Sequence, residues 1–137
     1  VPGGGVALLR VQQELNKKLE TLDFDSDDEK VGYKILTAAL DVPLRAISRN
    51  AGAKADVVVD CVLEKDGAYG YDALNSKYVD MFQAGIVDPA KVTRSALVNA
   101  ASVGSMLLTT EAAVVDIPEE KPEPAMPAGM GGMGGMM

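Results

Sequence analysis

Asp88-Pro89-Ala90-Lys91-Val92-Thr93-Arg94-Ser95-Ala96-Leu97 opens the most strongly patterned stretch of the chain. Asp88 has the short acceptor side chain of an N-cap, able to take a bond from an orphan backbone N–H. Pro89 suits the first helical position, where a missing N–H costs nothing. Beyond it, Val92, Ala96, Ala100, Val103 and Leu107 recur at helical spacing, with Leu97, Ala101, Gly104 and Leu108 as a second stripe beside them. Only a narrow edge of Lys91, Ser95, Ser102, Ser105 and Thr109 is polar, so the pattern predicts a helix buried on most sides. Small residues at Ala100, Ala101, Ser102, Gly104 and Ser105 let neighbouring elements approach its backbone. The stretch reads as the core helix of a mainly α fold.

Composition agrees. The 137 residues suit one domain or part of one, and 47% of them are hydrophobic, with no Trp and only 4% aromatics. Such a core is built from Ala, Val, Leu and Ile, as packed helices require. A net charge of −7 and a pI near 4.5 argue against nucleic acid or an anionic membrane as partner, because the phosphate term would be repulsive. One cysteine, Cys61, excludes an internal disulfide framework and suits a reducing compartment. The chain has no His, so it holds no Ser–His or Cys–His dyad, and zinc would lack its usual ligands. No apolar run approaches membrane-spanning length. A chain that opens at Val1 straight into a glycine turn reads as a piece of a longer protein.

In chain order, Gly3-Gly4-Gly5 feeds a helix whose Leu8, Val11, Leu15, Leu19 and Leu22 share a face. The triplet is either a flexible helix start or a nucleotide contact at a helix N-terminus. Residues 23–29 form an acidic turn in which Ser26-Asp27-Asp28-Glu29 has capping-box form, without the spacing of a calcium loop. A second helix runs through Val31, Ile35, Ala38 and Ala39 and is expected to kink or break near Asp41 and Val42, ahead of Pro43. Helical spacing resumes at Leu44 and Ile47, and Asn50-Ala51-Gly52 is a stop signal. Arg45 and Arg49 lie one turn apart and could grip a phosphate or carboxylate, though a solvated edge is the commoner case. Asp56-Val57-Val58-Val59-Asp60-Cys61-Val62-Leu63-Glu64 fits strand by composition and helix by spacing, and reads as helix, with Cys61 a small buried hydrophobe. Tyr69-Gly70-Tyr71 alternates as a strand, Asn75 or Ser76 could cap a short helix ending at Ala84-Gly85, and Ile86-Val87 would return as the partner strand. On that reading Tyr71-Asp72-Ala73 lies beside Ile86-Val87-Asp88. The plainest reading of the residues alone makes Asp72 a turn residue and Asp88 simply a cap. Ala112-Ala113-Val114-Val115-Asp116-Ile117 reads as a strand with no partner left in the chain. Residues 118–137, Pro-rich and acidic and then Gly-Met-rich, cannot bury a core and are expected to be disordered.

Gly85-Ile86-Val87-Asp88-Pro89-Ala90-Lys91-Val92-Thr93-Arg94-Ser95-Ala96-Leu97, followed by Asn99-Ala100-Ala101-Ser102-Val103, resembles the signature helix of the GroEL-type (group I) chaperonins. Pro2-Gly3-Gly4-Gly5-Val6-Ala7-Leu8 and the terminal Gly-Gly-Met repeat agree, in family order and with family-like gaps. The resemblance implies the C-terminal part of an equatorial domain over residues 1–117: helical, with a small β-hairpin, a C-terminal strand and a tail (118–137) reaching into a central cavity. It implies an ATP-hydrolysing machine of identical subunits in a heptameric ring, acting with a cochaperonin lid on non-native polypeptides. The compartment would be bacterial cytoplasm, mitochondrial matrix or plastid stroma. By the same resemblance Gly4 lies against the nucleotide, Asp72 and Ala73 face adenine, Ile86 packs on it and Asp88 holds the ribose. Many bacterial members carry Asn-Ala-Ala where this chain has Asp72-Ala73-Leu74, and Asp cannot donate the bond that an Asn amide can.

The family's phosphate-binding Asp-Gly-Thr-Thr-Thr motif and catalytic Asp occur nowhere in this chain. Mg²⁺ would therefore be held mainly by other parts of the protein, no residue here is assigned to catalysis or to a metal, and the chain alone is expected to be inactive. Two rivals compete. A dinucleotide-binding enzyme would need a strand before Gly3-Gly4-Gly5 and a Gly-x-Gly-x-x-Gly spacing, and has neither. A helical interaction module without nucleotide chemistry fits the same composition.

Overall fold

Helix α1 (Val6–Lys18) begins where the three glycines end. The computed structural model describes residues 1–117; the expected tail, 118–137, lies outside the described residues. Four further helices and a hairpin follow: α2 (Asp27–Ala39), α3 (Val42–Asn50), α4 (Ala55–Leu63), β1 (Tyr69–Asp72), β2 (Lys77–Asp80) and α5 (Ala90–Thr109).

Local signals set most of the boundaries. Ser26 Oγ accepts from the Glu29 N–H at 3.2 Å while the Glu29 carboxylate accepts from the Asp25 N–H at 2.8 Å, a reciprocal cap on α2. The chain breaks at Leu40 and Asp41, and Pro43 sits in the first turn of α3, where its missing N–H is harmless. At the other end of α3 the Gly52 N–H bonds to Arg49 O at 2.9 Å and the Ala53 N–H to Ser48 O at 2.9 Å. With Gly52 at φ +77°, this is a Schellman stop. The valine run settles as helix α4, because Val58, Val59 and Val62 all reach the interior on that periodicity.

Val6 and Leu9 from α1, Leu44 from α3, Val58, Val59 and Val62 from α4, Tyr71 from β1 and Met81 after β2 form one buried cluster. The shared face of Leu8, Val11, Leu15, Leu19 and Leu22 is only partly covered, with Leu8, Leu15 and Leu19 half-buried. Val11 and Leu22 remain 43% exposed, because α1 turns Val6 and Leu9 toward α3 instead. Arg10 secures that orientation, donating from Nη2 to Val62 O at 3.0 Å and Tyr69 O at 3.1 Å and from Nε to Gly67 O at 3.0 Å. One side chain thus ties the end of α4 and the start of β1 to α1.

The hairpin differs from the expected one. β1 pairs antiparallel with β2, Tyr71 opposite Tyr78 and Asp72 opposite Lys77, and the expected short helix from Asn75 or Ser76 is absent. Lys77-Tyr78-Val79-Asp80 is a better strand than helix, since Tyr78 packs across on Tyr71 at 5.2 Å and stacks on Tyr69 at 6.2 Å. Ile86-Val87-Asp88 pairs with the N-terminal segment instead: the Gly3 N–H bonds to Ile86 O at 3.0 Å, the Asp88 N–H to Val1 O at 3.1 Å, and Pro2 bridges Val87.

Helix α5 requires two corrections. It starts one residue later than expected, with Pro89 as N-cap, and no side chain caps it, so Asp88 is not the cap. It also buries no residue: Val92 is 62% exposed, Leu107 70% and Leu108 87%. Its stripes are present, but no described element is placed to cover them. The expected strand at 112–117 is likewise not formed, and Val114, Val115 and Ile117 are exposed. Among the described residues no strand pairs with this segment, so its backbone groups are left to solvent.

Candidate functional site

Four separate segments meet at one cleft of about 360 Å³. Gly4 supplies its floor from the turn before α1. Tyr71, Asp72, Ala73, Leu74 and Asn75 form a wall at the tip of the hairpin, and Ile47, Ala84 and Ile86 face them. The volume lies in the range of small-molecule sites. Gly4, Asp72, Ala73 and Ile86, all singled out in the sequence, are therefore brought together. Asp88 is not among the lining residues; it lies two residues beyond Ile86 on the same extended segment, and its side chain is exposed.

Packing accounts for the floor. Gly4 sits at φ +64°, a conformation side chains rarely adopt, and a Cβ there would press on Met81 Cε at 2.9 Å, so bare backbone forms the surface. Behind it, Gly3 is held by its bond to Ile86, which fixes the floor against the Ile86 wall.

The hairpin tip is built by Asp72. Its Oδ1 accepts from the Leu74 N–H at 3.0 Å and the Asn75 N–H at 3.2 Å, and its Oδ2 accepts from Asn75 Nδ2 at 2.7 Å. Both oxygens are thus engaged in the turn, and Ser76 closes it at φ 52°. Asp72 therefore meets the cleft through its backbone, with its side chain used as a turn residue. The Asn75 amide first, then the two backbone N–H groups and nearby Lys77, hold its carboxyl below the ordinary value of 3.8, with burial opposing them. A depressed native pKa means stability that is full above the ordinary carboxylate range and is lost as pH falls through the native value. In the intact protein Asp72→Asn should be less stable than wild type in urea at neutral pH, and the gap should begin to narrow below about pH 4 and close as pH falls through the depressed native value. A gap that persists unchanged into strong acid would show that the charge of Asp72 does not matter to the turn.

The cleft wall is mainly apolar, and among the described residues no Lys or Arg lines it. Its apolar residues and backbone groups suit a largely apolar ring and offer no cation to an anionic group. Among the described residues no group of three or more His, Cys, Asp or Glu could hold a metal ion, and no helix is long and apolar enough to cross a membrane. Arg45 is already committed, to Asp41 Oδ2 at 2.7 Å just ahead of α3 and to Asp56 at the start of α4. It clamps the two helices together and is not free for an anion. Cys61 is half-buried beside Tyr78, whose phenol is pushed up to about 12 by burial and then by a hydrogen bond with Cys61.

Sequence reasoning missed Ile47 and Asn75. Ile47 carried only a helical-spacing signal, and Asn75 was weighed only as a helix cap. The Asp72-x-x-Asn75 spacing, an Asx-turn pattern, was the available clue.

Residues 1–118 match the TCP-1/cpn60 chaperonin family. A solved structure described as the open-state monomer of a group II chaperonin from Methanococcoides burtonii is similar, with a TM-score of 0.71 at 21% identity. The likeness covers 80% of this chain and 28% of that one, so the chain spans less than a third of its structural relative. At that identity the likeness speaks for the fold, a helical piece of a chaperonin equatorial domain with its small hairpin. Since the family match runs the length of the described residues, the chain belongs to the TCP-1/cpn60 chaperonin family.

Proposed function

We propose that this chain forms the base-and-ribose side of the ATP site in a group I chaperonin. The observation that carries this reading is the convergence of Gly4, Ala73 and Ile86, far apart in sequence, on one cleft. Backbone groups of Asp72 and Ala73 meet the adenine edge, Ile86 packs on the ring, Gly4 lets the nucleotide approach the main chain, and Asp88 holds the ribose hydroxyls. The triphosphate, its Mg²⁺ and the catalytic groups belong to other parts of the protein, in keeping with a cleft without cations. The whole machine is then an ATP-driven ring of identical subunits, heptameric, closing with a separate cochaperonin lid over non-native polypeptides. The group I assignment rests on the Gly85 to Val103 signature and the terminal Gly-Gly-Met repeat. Its compartment is bacterial cytoplasm, mitochondrial matrix or plastid stroma.

ATP titration onto the intact protein tests this, with NAD as the comparison. Saturation by ATP alone is expected; saturation by neither would leave an interaction module. Asp88→Asn and Asp88→Ala should each weaken ATP by about tenfold to a hundredfold, the scale of a hydrogen bond to a charged group. Both should leave the stability of α5 unchanged, because Asp88 does not cap it. If both bind ATP as wild type does, the ribose assignment is wrong. Isolation of the ring without a separable lid subunit would count against group I.

A further inference from the structure

Asn75 lines the cleft with a side chain held in one sense. Its Nδ2 lies 2.7 Å from Asp72 Oδ2, and its backbone N–H lies 3.2 Å from Asp72 Oδ1. An ionised carboxylate only accepts hydrogen bonds, so the nitrogen end of the amide must face Asp72 and Oδ1 must face away from it. Among the described residues, Oδ1 accepts no bond. The rest of the wall has little to offer a base edge through side chains. Ala73, Leu74, Ile47 and Ile86 are apolar, the oxygens of Asp72 are spent in the turn, and Tyr71 is buried in the core.

We propose that Asn75 is a specificity-determining residue of this site, its Oδ1 accepting from the 6-amino group of adenine. The inference rests on the reading of the cleft as a nucleoside site. Position 6 of the purine separates a donor, the amino group of adenine, from an acceptor, the oxo group of hypoxanthine or guanine. An acceptor oxygen facing an oxo group is repulsive, and a free amide would escape by turning over. Asn75 cannot turn over without setting its own oxygen against the Asp72 carboxylate. Asp72 is therefore a positioning residue: its charge decides which end of the Asn75 amide the base meets.

Competition binding to the intact protein with ATP, inosine triphosphate and purine riboside triphosphate, which lacks the 6-substituent, tests this in wild type and Asn75→Leu. Wild type should prefer ATP over each of the others by about threefold to tenfold, and Asn75→Leu should bind all three within about twofold of one another. A turn that had merely loosened would weaken all three together and keep the preference. An ATP preference unchanged in Asn75→Leu therefore overturns the proposal. Wild type that binds ATP without preference overturns it too, while leaving the nucleoside reading standing. Wild type that binds none of the three removes that reading and this inference with it.

Discussion

Gly5→Ala should lower the stability of the intact protein by about 2–5 kcal/mol, from a left-handed backbone and an overpacked contact acting together. Gly5 sits at φ +82°, and a Cβ there would lie 2.6 Å from the Leu44 backbone nitrogen and 2.9 Å from its Cα. Neither is the yielding end of a side chain. Both belong to α3, which would have to move off α1 and open the cluster around Leu44. Gly52→Ala is the natural control, because φ is +77° there and nothing lies within 4 Å of the added methyl. It should cost only about 1–2 kcal/mol, the backbone term alone. Urea midpoints of the two variants check this. Equal losses would show that the contact with Leu44 relaxes freely and that the close approach of α1 and α3 is not what Gly5 secures.

Met81→Ala should cost about 2–5 kcal/mol and weaken nucleotide binding as well. Met81 is fully buried, and its Cε lies under Gly4 while its Cγ and Sδ fill the space above Gly70. Truncation leaves a hole directly beneath the cleft floor, between the turn before α1 and strand β1. Met81→Leu keeps most of the volume and should cost less than about 1.5 kcal/mol. Unfolding and ATP titration on both variants separate the effects. If Met81→Ala loses stability but binds ATP as Met81→Leu does, the floor at Gly4 does not depend on the packing beneath it.

What could be read from the sequence was what is decided within a few residues. Ser26 and Glu29 announce the start of α2, Asn50-Ala51-Gly52 announces the end of α3, and Pro43 announces the break between them. Each acts through its own neighbours, so one sequence suffices. Pairing was not legible in the same way. Ile86-Val87 and Lys77-Tyr78-Val79 are both able strands, and the choice between them as partner of β1 falls to the Asp72 turn and the stacked tyrosines, which exist only once the chain folds back. The burial of α5 failed for a related reason: apolar stripes mark faces that can be covered, not whether this chain supplies the cover. The cleft itself came from resemblance more than from pattern. Gly4, Ala73 and Ile86 have no shared periodicity, and Ile47 joins them only because α3 packs under the glycine turn.

The bond from the Gly3 N–H to Ile86 O, with the Pro2 and Val87 bridge beside it, also bears on the order of folding. It joins segments at opposite ends of the α1-to-β2 region, whereas the hairpin, the α2 cap and the α3 stop all close over a few residues. Loop-closure entropy must be met before such a distant pairing returns anything, so it belongs late on the folding route. The cleft, whose floor and far wall are joined by that bond, is therefore among the last features to close and the first to open. A ligand seated there would draw its grip from the weakest seam of the structure, and would lend its binding energy to holding that seam shut.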